Sequence, residues 1–182
     1  IAQVDYQYPL PKDNAVGITI RTGNRLIGPN RETELIAIGL KGQEIPFEQL
    51  PPLNLAFVID TSGSMAQADK LEWVKEAFYL FIDRVRNEDF VSLVVFNNDA
   101  SVVFPSKQIG NETNREDLKQ AVDSLSPGGG TNLIAGLETG YTQVLSNFRK
   151  EYTNRVLFLT DGVGDSTGLL DMAESYKQMD MN

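Results

Sequence analysis

The 182-residue chain contains no cysteine and no histidine. Without cysteine there is neither a disulfide nor a thiolate metal ligand. Without histidine no Ser-His-Asp or Cys-His catalytic arrangement can be assembled, and imidazole-bound zinc is excluded. No apolar run reaches the roughly 20 residues that a membrane-spanning helix needs. No signal-peptide pattern is visible. Ile1 is not a start residue, so an upstream piece able to carry a targeting signal is expected. Positive charge is also short: 16 Lys and Arg stand against 25 Asp and Glu, a net charge of −9. That balance argues against nucleic acid and against docking on acidic lipid. Any metal must be held by oxygen, which points to magnesium, calcium or manganese.

What is present fits one good-sized domain with a small extension. Residues 1–52 hold most of the eight prolines and two alternating apolar segments, Val16–Arg21 and Thr33–Leu40, separated by the polar turn GNRLIGPN. They predict a β-rich flanking segment with a half-buried antiparallel sheet, packed beside the main domain. Residues 53–182 alternate strand and helix. Leu55–Ile59, Phe90–Phe96 and Arg155–Thr160 are continuous apolar runs, as parallel strands buried on both faces require. The helical patterns are Asp69–Asn87, Asn114–Leu125 capped by Asn114, Leu133–Phe148 and Leu169–Met179. Asn97–Asp99 reads as a turn into a short strand, Val102–Phe104. Trp73 and Tyr79 lie off the apolar stripe of their helix and are expected to pack at its margin or under the β-rich segment. The fold class is an open, doubly wound, mostly parallel α/β sheet with helices on both faces.

Three loops carry the chemistry: Asp60-Thr61-Ser62-Gly63-Ser64, Gly128-Gly129-Gly130-Thr131-Asn132 and Thr160-Asp161-Gly162. Each follows a strand or precedes a helix, where an open α/β sheet places its ligands. In a looped backbone alternate residues point the same way. Asp60, Ser62 and Ser64 can therefore converge on one point, with Gly63 allowing the tight turn between them. Thr131 and Asp161 add a hydroxyl and a carboxylate, with Gly130, Asn132 and Gly162 adjacent. Five oxygen donors carrying two formal charges suit a hard divalent cation that keeps several waters.

The order D-x-S-x-S, then Thr in a Gly-rich loop, then T-D-G, resembles the von Willebrand factor type A domain, the fold shared by integrin I domains. The likeness covers about residues 53–182; the flank is similar, more loosely, to that of bacterial members. The resemblance implies a metal-dependent adhesion site. Ser62 and Ser64 would bind the cation directly, Thr131 directly or through water, and Asp60 and Asp161 mostly through water. A cation held mainly by neutral hydroxyls seeks an outside anion, so the implied partner is a protein offering an Asp or Glu carboxylate. The resemblance also implies an extracytoplasmic or cell-surface location, with a cytoplasmic one as the alternative. A complete domain of this family has six strands. The sequence therefore looks C-terminally truncated, its last strands supplied by further chain or by a companion fragment.

Other readings compete. Asp60 can serve as a helix cap and the serines as turn residues. GGGT before a helix can cradle phosphate, although neither G-x-x-x-x-G-K-[ST] nor G-x-G-x-x-G is present. A magnesium phosphohydrolase of haloacid dehalogenase type uses D-x-D-x-T. Here Ser62 replaces the second Asp, which removes the general acid/base, and no lysine is obviously placed for the phosphoryl group. A structural domain whose metal only stabilises the loops is the third possibility. Asp165 reads as a solvated loop residue and Asp99 as part of a hairpin turn.

Overall fold

The computed structural model describes residues 7–12, 14–22, 36–46, 49–162 and 164–181. It separates into two compact units, Ile1–Leu50 and Pro51–Asn182.

In the first unit β1 (Val16–Thr22) pairs antiparallel with β2 (Ile36–Gly42), with Ile18 opposite Leu40 and Ile20 opposite Ile38. Alternation is present, but the apolar side chains do not occupy a buried face: Ile18, Ile20, Ile38 and Leu40 are each about two-thirds exposed. The other face is the covered one. The Tyr8 ring lies against Gly39, where a Cβ would come within 2.3 Å of it, and the Arg21 guanidinium stands over the same ring at 5.8 Å. Period-two patterning marks two unlike faces; it does not say which is covered. The GNRLIGPN turn and Thr33–Leu35 fall outside the described residues.

The second unit is a four-stranded sheet in the order β5-β4-β3-β6, formed by β3 (Leu53–Asp60), β4 (Phe90–Phe96), β5 (Ala100–Gln108) and β6 (Thr153–Leu159). β3 is parallel to both β4 and β6, and β5 runs antiparallel at one edge. The strand residues alternate between two cores. Leu55, Phe57 and Ile59 of β3 meet α1 (Lys70–Ile82) and α2 (Glu112–Asp123). Ala56 and Val58 face the opposite layer, made by α3 (Leu133–Ser146) and α4 (Leu169–Lys177). This double burial explains the unbroken apolar runs.

Several boundaries differ from the sequence expectation. The helix expected to reach Asn87 ends at Ile82. The apolar stripe continues because Val85 is still buried in the turn beyond it, where the Arg115 guanidinium donates to the carbonyls of Ile82 and Val85 at 2.6 and 2.8 Å. Asn111, not Asn114, caps α2: its side-chain oxygen accepts the Asn114 N–H at 2.8 Å. β5 is three times the length expected, since Pro105 is tolerated on an edge strand. Trp73 is 66% exposed and lines an apolar cleft with Val74, Phe78 and Leu159, at the margin of the packed face. Tyr79 packs against the core, and its hydroxyl donates to Asp123. Among the described residues β6 pairs only with β3, leaving Leu157 partly exposed at an open edge.

Candidate functional site

Asp60 is the last residue of β3 and is fully buried, followed by buried Thr61 and Ser62. The register that sets Ile59 opposite Leu159 brings the next residues, Asp60 and Thr160, side by side. The Thr160 hydroxyl donates to Asp60 Oδ2 at 2.8 Å, and the Ser62 N–H donates to Asp60 Oδ1 at 2.7 Å. Two neutral donors thus hold the Asp60 carboxylate in place. The chain then turns into 3₁₀ geometry over Gly63–Asp69 instead of staying extended, yet Ser62 Oγ and Ser64 Oγ still come within 3.0 Å of each other.

The glycine-rich loop is sewn to this one. The Gly63 N–H donates to the Gly129 carbonyl at 3.1 Å and the Gly128 N–H to the Thr61 carbonyl at 2.7 Å. Gly129 has φ +83°, a left-handed conformation that favours glycine. Asn98 accepts the Gly130 N–H at 2.8 Å, and the Asn132 N–H donates to the Asn97 carbonyl at 2.6 Å. Asn132 also caps α3, its side-chain oxygen accepting the Ala135 N–H at 3.1 Å. Thr131 therefore sits between two anchored neighbours, in a cleft of about 330 Å³ that Asn98 and Asp165 also line. Asn97 and Asn98, read from sequence only as turn residues, are what position it.

The third loop departs most from expectation. Asp161, whose side chain is only 12% exposed, receives the Lys70 ammonium at 3.0 Å. Nothing in the sequence pattern points to Lys70, and from sequence no lysine is obviously placed there for a phosphoryl group. The strand end also uses Thr160 twice, because its hydroxyl accepts the Gly162 N–H at 3.1 Å while donating to Asp60. Asp165 stays exposed; hydrogen bonds from the Thr167 side chain and N–H lower its pKa.

Asp60 is bonded to Ser62 and Ser62 to Ser64, and the other two loops are bonded or ion-paired to the same region. The donors are carboxylate and hydroxyl oxygens. Among the described residues no group of three or more His, Cys, Asp or Glu could hold a metal. The Asp60 set, with its hydroxyls, fits a hard cation that keeps water or takes an outside ligand.

An open α/β sheet with an oxygen-donor loop cluster at its strand ends defines a class of Rossmann-like binding domain. The family model for the von Willebrand factor type A domain matches residues 55–163, and the chain belongs to that family. It is similar to the uncharacterized protein YfbK of Escherichia coli (strain K12), 33% identical over 133 residues, which are 73% of this chain and 23% of that protein. In solved structures it resembles von Willebrand factor type A from Catenulispora acidiphila (TM-score 0.63, 19% identity, 92% of this chain and 36% of that one). It also resembles proximal thread matrix protein 1 from the mussel byssus with zinc occupied MIDAS motif (TM-score 0.61, 23% identity, 72% and 34%). At those identities the structural likeness bears on fold alone. The chain spans about a quarter to a third of the length of these relatives.

Proposed function

We propose that this domain is a divalent-cation-dependent protein-binding module whose cation is completed by an Asp or Glu carboxylate of the partner. The observation that carries this reading is the loop Asp60–Ser64. A buried carboxylate is pinned by neutral donors beside two hydroxyls 3.0 Å apart. Asp60, Ser62, Ser64, Thr131 and Asp161 would hold magnesium, manganese or calcium. The bound ion would supply a concentrated positive charge for an outside carboxylate. With few carboxylates of the domain's own, that charge would stay poorly neutralised and would favour an anionic outside ligand over storage. The domain is proposed to be a binding module and not an enzyme, working outside the cytoplasm or at the cell surface. No helix among the described residues is long and apolar enough to cross a membrane.

The test has two parts. Calorimetric titration with MgCl₂ and MnCl₂ should show one site in the wild type and none in Asp60→Ala, with far-UV circular dichroism unchanged. A peptide array carrying single Glu or Asp residues, compared with Gln and Asn counterparts, should bind in Mn²⁺ and release in EDTA. Binding that persists in EDTA, or that ignores Glu against Gln, sinks the proposal. Lys70 beside Asp161 does favour one element of the phosphohydrolase reading, a cation for a phosphoryl group. That reading still lacks a general acid at Ser62, and turnover of p-nitrophenyl phosphate lost in Asp60→Asn would be needed to restore it.

A further inference from the structure

Lys70 is the first residue of α1, a poor place for an ammonium, because a helix N-terminus already carries partial positive charge. The chain nevertheless delivers it there through an uncommon backbone path. Ala68 (φ 52°, ψ 34°) and Asp69 (φ 54°, ψ 27°) are consecutive non-glycine residues in the left-handed region. Such conformations persist only where the surroundings over-determine them. The turn starts α1 where Lys70 can span to Asp161, 91 residues away, and place Nζ 3.0 Å from Oδ2. The Lys70 side chain is 40% exposed and Asp161 12%, so the pair is partly withdrawn from water. The two acidic members of the site are therefore treated differently. Asp60 is held by two neutral donors, while Asp161 is matched by an ammonium.

Resting on the reading of these loops as a cation site, we propose that Lys70 is a built-in competing cation that neutralises Asp161 in the metal-free protein and weakens divalent-ion binding. In the empty domain it offsets the repulsion between the two carboxylates and keeps the third loop assembled. A divalent ion held by these loops would meet the ammonium beside Asp161, and their repulsion in a partly buried site would lower the ion's affinity. The same repulsion leaves the ion less neutralised from within. The domain then holds metal weakly alone and more tightly with an anionic partner.

The experiment is calorimetric Mn²⁺ titration of the wild type, Lys70→Met, Lys70→Arg, Asp161→Asn and the Lys70→Met/Asp161→Asn double variant, with no protein partner present. Lys70→Met should bind Mn²⁺ about tenfold more tightly, equivalent to about 1.4 kcal/mol. Lys70→Arg, which keeps the charge, should stay within about threefold of the wild type. In the Asp161→Asn background the ion pair that anchors Lys70 beside the site is gone. The 40% exposed side chain can then turn its ammonium to water, where repulsion is screened. In that background the Lys70→Met gain should vanish, a result that general stabilisation of the loop would not produce. Unchanged or weaker Mn²⁺ binding by Lys70→Met overturns the proposal, as does a gain that survives Asp161→Asn. Should Lys70→Met misfold by circular dichroism, Lys70→Gln, which keeps a long polar chain, carries the same comparison. Absence of any Mn²⁺ binding by the wild type would instead refute the cation-site reading, and this inference would fall with it.

Discussion

Two glycines let α3 lie tight against the sheet, and that packing links stability to the site. Gly136 and Gly140 are one turn apart on the face that meets the strands. A Cβ at Gly140 would stand 2.4 Å from Val58 Cγ2 and 3.1 Å from Val156 Cγ1. Both neighbours are β-branched and rooted on strands, and Val58 is fully buried, so neither can swing aside as a flexible chain end would. Carbon–carbon contacts are comfortable at roughly 3.5–4.0 Å, so Gly140→Ala requires α3 to retreat by about 1 Å or more. Two terms oppose each other. Alanine in a helix interior is favoured over glycine by about 1 kcal/mol. Overpacking a filled core costs about 1–3 kcal/mol, and a contact this short belongs at the upper end. The net expectation is a loss of about 1–2 kcal/mol. Urea denaturation followed by far-UV circular dichroism measures it.

Gly128→Ala is the control, since a Cβ there meets nothing within 4 Å and should change stability by no more than about 0.5 kcal/mol. The double variant Gly140→Ala/Val58→Ala should cost less than the sum of its parts by about 1 kcal/mol, because the shortened side chain makes room for the new methyl. Retreat of α3 would also move its cap, Asn132, and with it Thr131, so Mn²⁺ affinity should fall alongside stability. A Gly140→Ala protein as stable as the wild type would refute the argument that close contact with Val58 excludes a side chain here.

Two further outcomes follow from the site and its supports. Thr160→Val removes the hydroxyl that joins Asp60 Oδ2 to the Gly162 N–H. It should lower stability by about 1–2 kcal/mol and weaken Mn²⁺ binding severalfold, and an unchanged titration would show that this hydrogen bond does not orient the carboxylate. Asn111→Ala should cost about 1 kcal/mol in urea denaturation and Asn114→Ala less, since only Asn111 occupies the cap; the reverse order would return the cap to Asn114.

The layers of this fold were legible because double burial writes itself as uninterrupted apolar sequence. The runs at Leu55, Phe90 and Arg155 became β3, β4 and β6. What stayed illegible depends on contacts distant along the chain. The end of α1 is set by Arg115, which serves the carbonyls of Ile82 and Val85 from about thirty residues away, while apolar periodicity ran past the true end. The hairpin of the first unit shows a different limit. Its alternation is correct, but the covered face is decided by Tyr8 and Gly39, not by the isoleucines.

At the site the same division recurs. Asp60, Ser62 and Ser64 lie within five residues, so their convergence needs only a local turn. Thr131 and Asp161 could be named as candidates because a parallel sheet places successive strand ends along one rim. Lys70 could not be reached this way. Its position depends on two left-handed residues, Ala68 and Asp69, that no residue pattern announces.

The unequal treatment of the two carboxylates is the feature that most constrains how such a site works. Asp60 is at full burial, yet its partners are an N–H and a hydroxyl, neither of which cancels its charge. A buried carboxylate with only neutral partners is costly, and on the proposed cation reading a divalent ion would relieve that cost. Asp161 is already matched by Lys70, so on the same reading an ion would gain less from it. Asp60→Asn should therefore weaken Mn²⁺ binding far more than Asp161→Asn, although both changes remove one formal charge from the same cluster. Equal losses in calorimetric titration would mean that Lys70 leaves Asp161 when metal arrives and that the ion pair has no influence on affinity.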